Sequence, residues 1–522
     1  MFNITGYINW VRRYFKKRDL LIILGLVGLF LITRLINLDK FPIFSDEGIY
    51  IRWAKVAWKD ASWRFISLTD GRQPLQTWGT IAFLKLFENN ALFAGRLFAV
   101  ASGFFALSGI FALSAYLFNK KTAYIASLLY IITPYFLFYD RMALVDSAIN
   151  GFVIWLFFFS ILLARTLRLD VALLLGFLSG FALLGKSSVR LYMALMSLAS
   201  LFVLYSHSEG GLIRMFLGLK HKLFGKEKKT PQLLSFFFLY GIVIAVSLLI
   251  YNVQRLSPFF HFVAEKNKTF VLTLPELIQH PWAYFPHNMV NLPYYILSEM
   301  AYVVAILGIV GLYWLYKKDK PLTIYLSLWL ASATILISLV AKVLFPRYVL
   351  PLGGLLLIPA AFLLSNIKSS KRFIGLFIVI IVSGLYFNYT ILFDHKNIPF
   401  PDIDRGQYLE GWPAGWGIKE IVDYSRDKSQ DKPVILMAEG NFGMSGDVLD
   451  SYLKPGDKIN IKGYWPLNRE HLVENQALLK DNYVYLVFSH RIDFPTDWPM
   501  KLIRVFDKPG KKSQVYFFAL TE

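Results

Sequence analysis

The chain has 522 residues, of which 56% are hydrophobic and 17% charged, a balance well to the apolar side of soluble domains that points to a polytopic membrane protein. It has no cysteine, which excludes disulfides and thiolate metal sites. The net charge of +20 is not a nucleic-acid signature: residues 394–522 hold 17 Lys and Arg against 19 Asp and Glu, so the basic excess sits in the apolar part, much of it in short loops that would face anionic headgroups.

In chain order, Leu20 to Leu38 is apolar over about the 20 residues a helix needs to cross a hydrocarbon core. Arg12, Arg13, Lys16, Lys17 and Arg18 precede it, which predicts a cytoplasmic start. No small-residue cleavage site follows, so the run reads as a retained anchor. Asp46 and Glu47 then come out on the far side. Tyr50 to Trp58 and Leu75 to Phe87 mix apolar and charged residues at helical spacing and read as interfacial helices of a first outer loop, residues 46–90. Spanning runs follow near Leu97 to Phe118, Ala123 to Phe138, Ala148 to Ala164, Val171 to Leu184, Leu191 to Tyr205 and Leu233 to Val253. After a long connection come Ile296 to Tyr316, Leu322 to Val343, Val349 to Ser365 and Phe373 to Phe393, for about eleven transmembrane helices in all. Threading them from an inside start puts Lys120-Lys121, Arg165 to Arg168, His207 to Gln232, Lys317 to Lys320 and Lys368 to Arg372 in the cytoplasm, and each is basic or carries a basic cluster.

Residues 1–393 thus read as a mostly α membrane domain and 394–522 as a small extracytoplasmic α/β domain. In the latter, Pro433 to Glu439 and Tyr483 to Ser489 read as short buried strands, and Leu502 to Phe506 and Val515 to Leu520 as a hairpin around Pro509-Gly510. The run Gly440 to Gly446 reads as a strand-to-helix turn, because glycine spacing alone is weak evidence for a phosphate loop. The sequons at Asn3, Asn267 and Asn388 are at chance level.

This threading gathers Asp46, Glu47, Arg72, Arg141, Asp146, Lys186, Arg190 and Arg347 on the outer side, near ends of apolar runs. Cations collected where the cytoplasmic-loop rule predicts few answer an anionic ligand such as a phosphate, for which Arg offers a bidentate fork. Such a set suits transfer of a sugar from a lipid phosphate to a hydroxyl. A phosphate leaves as a stable anion and needs charge stabilisation rather than a general acid, so one carboxylate acting as base is enough, with inversion at the anomeric carbon.

Thr33-Arg34-Leu35 and Phe44 to Tyr50 resemble the opening of the dolichyl-phosphate-mannose protein mannosyltransferases and the aminoarabinose transferases of lipid A, both GT-C glycosyltransferases. The resemblance continues through Gly71 to Leu75, Gly95-Arg96-Leu97, Asp140 to Asp146, Gly185-Lys186 and Pro346 to Pro351, and covers roughly the first 365 residues. It implies a polyprenyl-phosphate-sugar donor, with Asp46 as general base and Glu47 positioning the acceptor or the base. It further implies Arg72 and Arg141 on the donor phosphate and Asp146 orienting sugar or acceptor; Lys186, Arg190 and Arg347 of the outward-facing set are expected on the same phosphate, and Tyr50, Gln73 and Tyr348 in the donor or acceptor pocket. Gln73 stands where the aminoarabinose transferases carry the first Pro of Lys-Pro-Pro-Leu, which keeps a cation at Arg72 but changes the backbone beside it.

Plainer readings stand beside these. Asp46 and Glu47 also suit the N-terminus of a helix. Arg34, Arg96 and Arg190 read as helix-end cations snorkelling to headgroups, and Asp146 can pair with Arg141. His261, His280, His287, Glu265 and Glu276 share no short metal-ligand spacing, so no metal or other cofactor is expected, although distant GT-C oligosaccharyltransferases use a divalent ion. Expected partners are the lipid-linked donor, membrane lipid and a protein, lipid or glycan hydroxyl, not nucleic acid. The rival function is a transporter or flippase of lipid-linked sugars, against which stand unlike halves and charges clustered at helix ends.

Overall fold

A computed structural model describes residues 16–204 and 230–522. Arg12, Arg13, the sequon at Asn3 and most of the basic loop 207–232 lie outside the described residues. Each predicted apolar run has a helix beneath it: Lys17–Leu35, Ala91–Leu117, Lys120–Ile132 with Pro134–Tyr139, Asp146–Thr166, Leu169–Leu183, Val189–Met196 with Ser200–Leu204, Thr230–Tyr251, Val303–Lys318, Lys320–Val340, Leu350–Ser365 and Ser370–Phe393. Among the described residues, six helices are long and apolar enough to cross a membrane by themselves, and up to seven if Phe285–Glu299 and Val303–Lys318 form one bent span. The run predicted from Ile296 to Tyr316 is not one helix. It breaks at Met300–Tyr302 with a 110° bend and positive φ at Ala301 and Tyr302, a break with no Gly or Pro to announce it.

Local sequence sets these boundaries and approaches. Asn90, Asn119 and Asp319 accept from the backbone N–H three residues on, satisfying otherwise orphaned donors where helices begin. Gly176 and Gly180, one turn apart, let Leu169–Leu183 meet Thr230–Tyr251 so closely that a Cβ on either would lie within 2.8 Å of a Val246 or Ile250 side chain. Small residues at this spacing allow the close packing by which helices associate in lipid.

The two ends of the helical body differ. At one, Asp19 pairs with Lys120 (2.9 Å) and Tyr124, Lys121 reaches Ser365 O, Arg165 lies over Tyr116, and Lys318 over Phe362. The described basic loops therefore converge there, and Asp46 stands at the opposite end.

The C-terminal part carries strands β1 (Val434–Glu439), β2 (Ile459–Tyr464), β3 (Tyr483–Phe488), β4 (Met500–Asp507) and β5 (Gln514–Leu520) in the order β2-β1-β3-β5-β4. The first three are parallel, while β5 is antiparallel to β3 and β4. β2 was not predicted: INIKGY is half exposed and lacks the apolar density of its neighbours. As expected, residues 440–446 turn from β1 into a short helix, Gly446–Asp450.

One face of the sheet shares an apolar core with helix Ser45–Lys59: Ile51, Ala54 and Ala57 pack with Leu436, Val448 and Phe517. Burying each larger side chain of such a core contributes about 1.5–3 kcal/mol. Gly48 admits the contact, since a Cβ there would meet Val448 Cγ2 at 2.9 Å. Arg52–Asp447 (2.6 Å) and Lys55–Asp450 (2.9 Å) rim it. The chain between the two parts also packs inward, with Ile398, Phe400, Tyr408 and Leu409 in the core of the helical body.

Candidate active site

Helix Ser45–Lys59 starts in the middle of the key motif, so Asp46 and Glu47 occupy its first turn and point in different directions. Ser45 N donates to Pro413 O (2.9 Å) and Phe44 N to Glu47 Oε2 (3.0 Å), fixing the entry. Glu47 is wholly buried. Its oxygens also accept from Arg96 Nε (2.9 Å), Arg96 Nη2 (2.8 Å) and Ala143 N (2.7 Å). Arg96 donates further to Leu38 O and Phe41 O, so this pair ties three segments together beneath the helix.

Asp46 is the half that remains reachable, with 20% of its side chain exposed. Arg72 Nη2 donates to Oδ1 and Arg347 Nη2 to Oδ2, both at 3.0 Å. Arg72 Nε also meets Asp70 Oδ2 (2.9 Å), and Lys266 Nζ meets Asp70 Oδ1 (2.8 Å). Lys186 pairs with Asp146 and lies 4.4 Å from the centre of the Tyr348 ring, which Arg347 also approaches. Tyr50 lies beneath the Arg72 guanidinium at 5.4 Å. Gln73 Nε2 donates to Ser187 Oγ (2.6 Å), as does Asn267 Nδ2 (3.2 Å). With Gln73 beside it, Arg72 still reaches Asp46.

Ion pairs join Asp46, Arg72, Asp70, Lys266 and Arg347, and the Lys186–Asp146 pair adjoins them through the Tyr348 ring that Lys186 and Arg347 share, so this network of four cations and three carboxylates has one positive charge in excess. Burial alone would raise the Asp46 carboxyl, but Arg72 and then Arg347 outweigh it and hold it at about 2. Burial pushes the Lys186 ammonium below its ordinary value against the pull of Asp146, and raises the Tyr50 phenol to about 12. The resting Asp46 is an ionised acceptor with one guanidinium on each oxygen. Planar guanidinium groups aimed at one small oxyanion are equally suited to phosphate oxygens.

The structure brings Asp46, Arg72, Arg347, Lys186, Asp146, Tyr50, Gln73 and Tyr348 together, and leaves two predicted phosphate ligands apart. Arg141 is 4% exposed and donates to Thr33 O (3.0 Å) and Arg34 O (2.9 Å), carbonyls of the last turn of helix Lys17–Leu35, and to Asn37 O (3.1 Å) just beyond it. Arg190 is exposed, over the Tyr251 ring with its hydroxyl at 2.9 Å. Two plainer readings are also corrected: Asp146 pairs with Lys186, not Arg141, and Arg34 and Arg96 do not snorkel. Arg34 is fully buried on Asp140, whose carboxylate also accepts from Tyr130 and Ser147.

Sequence reasoning missed Asp70 and Lys266. The former lies two residues before Arg72 in a 3-10 turn, and the latter on a short helix, Phe262–Phe270, nearly two hundred positions away. It also missed the buried acids behind Arg347. There Tyr139 donates to Asp404, whose carboxyl burial raises above its ordinary value, and Glu299 is fully buried.

The sequence model for the dolichyl-phosphate-mannose-protein mannosyltransferases matches residues 72–216. No curated protein sequence matches. Among solved structures, the chain is similar to ArnT from Cupriavidus metallidurans bound to undecaprenyl phosphate, at 14% identity and TM-score 0.59 over 96% of this chain and 97% of that one. It is similar to the Archaeoglobus fulgidus oligosaccharyltransferase in the apo form at 13% identity and TM-score 0.50, over 92% of this chain and 70% of that one. It is likewise similar to AglB from that organism in complex with an inhibitory peptide and a dolichol-phosphate, at 12% identity and TM-score 0.50, over 91% and 70%. At such identities the likeness speaks for the fold. In fold and in motif, then, the chain resembles the GT-C glycosyltransferases of the protein O-mannosyltransferase and lipid A aminoarabinose transferase group.

Proposed function

We propose that this protein transfers a hexose or pentose from a polyprenyl-phosphate donor to a hydroxyl of a protein, lipid or glycan on the outer face of a membrane, with inversion and with Asp46 as general base. The chain crosses eleven times from a cytoplasmic N-terminus, several crossings being short or bent helices, so the basic end of the helical body lies inside and Asp46 outside. The observation that carries the reading is the Asp46 carboxylate held between Arg72 and Arg347, with Lys186 and Lys266 in the same network.

The donor phosphodiester carries one negative charge, which matches the excess positive charge of the network. Its oxygens compete with Asp46 for Arg72 and Arg347, and as the arginines turn to phosphate, Asp46 loses two charge-assisted hydrogen bonds and becomes more basic. It then accepts the proton of the acceptor hydroxyl as that oxygen bonds to the anomeric carbon. The bond from that carbon to the phosphate oxygen breaks with its electron pair on the phosphate, and polyprenyl phosphate leaves, stabilised by the arginines and Lys186. Glu47, saturated by Arg96 and two backbone N–H groups, positions the turn that carries Asp46.

Arg72→Ala and Arg347→Ala are each expected to weaken binding of polyprenyl phosphate by about 10–100-fold, the scale of a hydrogen bond to a charged group at about 1.5–3 kcal/mol. Arg141→Ala should leave that affinity unchanged, which a binding titration in detergent checks. Equal losses for all three would remove the phosphate assignment. Release of polyprenyl phosphate from a sugar-loaded donor by purified protein, with no second compartment, separates a transferase from a flippase.

A further inference from the structure

Three parallel strands end on the side of the sheet that faces the helix bearing Asp46. After β1, a Cβ on Gly443 would lie 2.7 Å from Ser45 Oγ, and Phe442 packs 6.0 Å from Trp53. After β2 comes Trp465, and after β3 come Ser489, His490 and Arg491. A fourth segment joins them: Trp412 precedes Pro413, whose carbonyl takes the Ser45 N–H. Ligands of open α/β sheets bind outside the carboxyl ends of parallel strands, and here that edge abuts the base-bearing helix.

What gathers at this edge is aromatic and open. His490 lies between Trp412, with ring centres 4.7 Å apart, and Trp465, at 5.5 Å. Trp412 is 49% exposed and Trp465 65%. Beneath them Arg491 pairs with the buried Glu439 (2.7 Å), Ser445 bonds Ser489 (2.9 Å), and Ser489 meets His490 Nδ1 (3.2 Å). Lys508 Nζ holds the Trp412 loop through Gly411 O and Trp412 O, both at 3.1 Å. These rings project from loops at the end of a sheet, unlike the exposed Tyr313, Trp314, Tyr386 and Tyr389 on the flanks of apolar helices, which have the character of an interfacial belt.

Rings of this kind, with polar edges and a polar floor, offer the C–H face of a sugar a surface and its hydroxyls donors and acceptors. An extended peptide would seek an unpaired strand edge instead. Those edges belong to β2 and β4, whereas the rings stand at strand ends. We propose that Trp412, His490 and Trp465 form a carbohydrate-binding subsite that holds a sugar ring of the acceptor beside Asp46. The acceptor role rests on the transferase reading above.

The test uses the full-length protein in nanodiscs on an array of immobilised oligosaccharides built from glucose, mannose, galactose and N-acetylglucosamine, with Ser/Thr-rich peptides on the same array. Wild type is expected to hold at least one glycan class. The Trp412→Ala/Trp465→Ala protein should bind it at least tenfold more weakly, and the Trp412→Phe/Trp465→Phe protein, which keeps the rings, within about threefold of wild type. Thermal unfolding verifies that both fold. Equal glycan binding by the Ala variant, no glycan bound by wild type, or retention of peptides alone would overturn the subsite. Polyprenyl-phosphate binding is measured on the same samples and is expected to be equal in all three. Its absence from wild type would count against the transferase reading, which the array scores separately.

Discussion

Asp46→Asn is expected to lower the rate of sugar transfer by about 10²–10⁴-fold, the contribution of a positioned general base, while polyprenyl phosphate binds more tightly. The two effects have one cause. Asn keeps the shape of Asp but neither takes the proton nor competes as an anion for Arg72 and Arg347. An internal carboxylate that occupies the phosphate donors acts against the ligand, so its removal should tighten binding by about tenfold, equivalent to roughly 1.4 kcal/mol. Single-turnover transfer and a lipid-phosphate titration on the same sample measure both. Transfer within a few-fold of wild type would remove Asp46 as base, and weaker phosphate binding would remove the competition.

The second large effect is on stability. Arg96→Ala leaves Glu47 buried beside two backbone N–H groups with its guanidinium gone, and breaking a buried pair from one side costs about 3–5 kcal/mol. Thermal unfolding in nanodiscs should show a pronounced drop for this variant. Arg96→Ala/Glu47→Gln should recover part of it, because the stranded charge is then neutral. A single variant as stable as wild type would mean that Glu47 does not depend on Arg96. Transfer by the single variant should also fall, since the turn that presents Asp46 is fastened by this pair.

How far the sequence could be read follows from which signals are local. Each predicted apolar run has a helix beneath it because hydropathy reports length and burial directly, yet helix Phe285–Glu299 fell in what read as a long connection, and the Met300–Tyr302 break carries no Gly or Pro and stayed invisible. β1, β3 and the β4–β5 hairpin were legible from dense apolar strands, whereas β2 was not. At the candidate site, the sequence pointed to Asp46, Arg72, Lys186 and Arg347 because they lie in recognisable motifs at helix ends, and the fold places them side by side. What the sequence could not resolve was pairing. Arg141 and Arg96 look alike as helix-end cations, and only the fold shows one spent on carbonyls and the other on Glu47. The Trp412, Trp465 and His490 group was missed for the same reason: its members come from three loops spread over nearly eighty positions.

The apolar core that helix Ser45–Lys59 shares with the sheet has an evolutionary corollary. The C-terminal part is no cartridge to be exchanged whole between related enzymes, because the chain that supplies Ile51, Ala54 and Ala57 to its interior is the one that aims Asp46. At the strand ends, Phe442 and Gly443 belong to that seam, whereas the exposed Trp465 can change without loosening it.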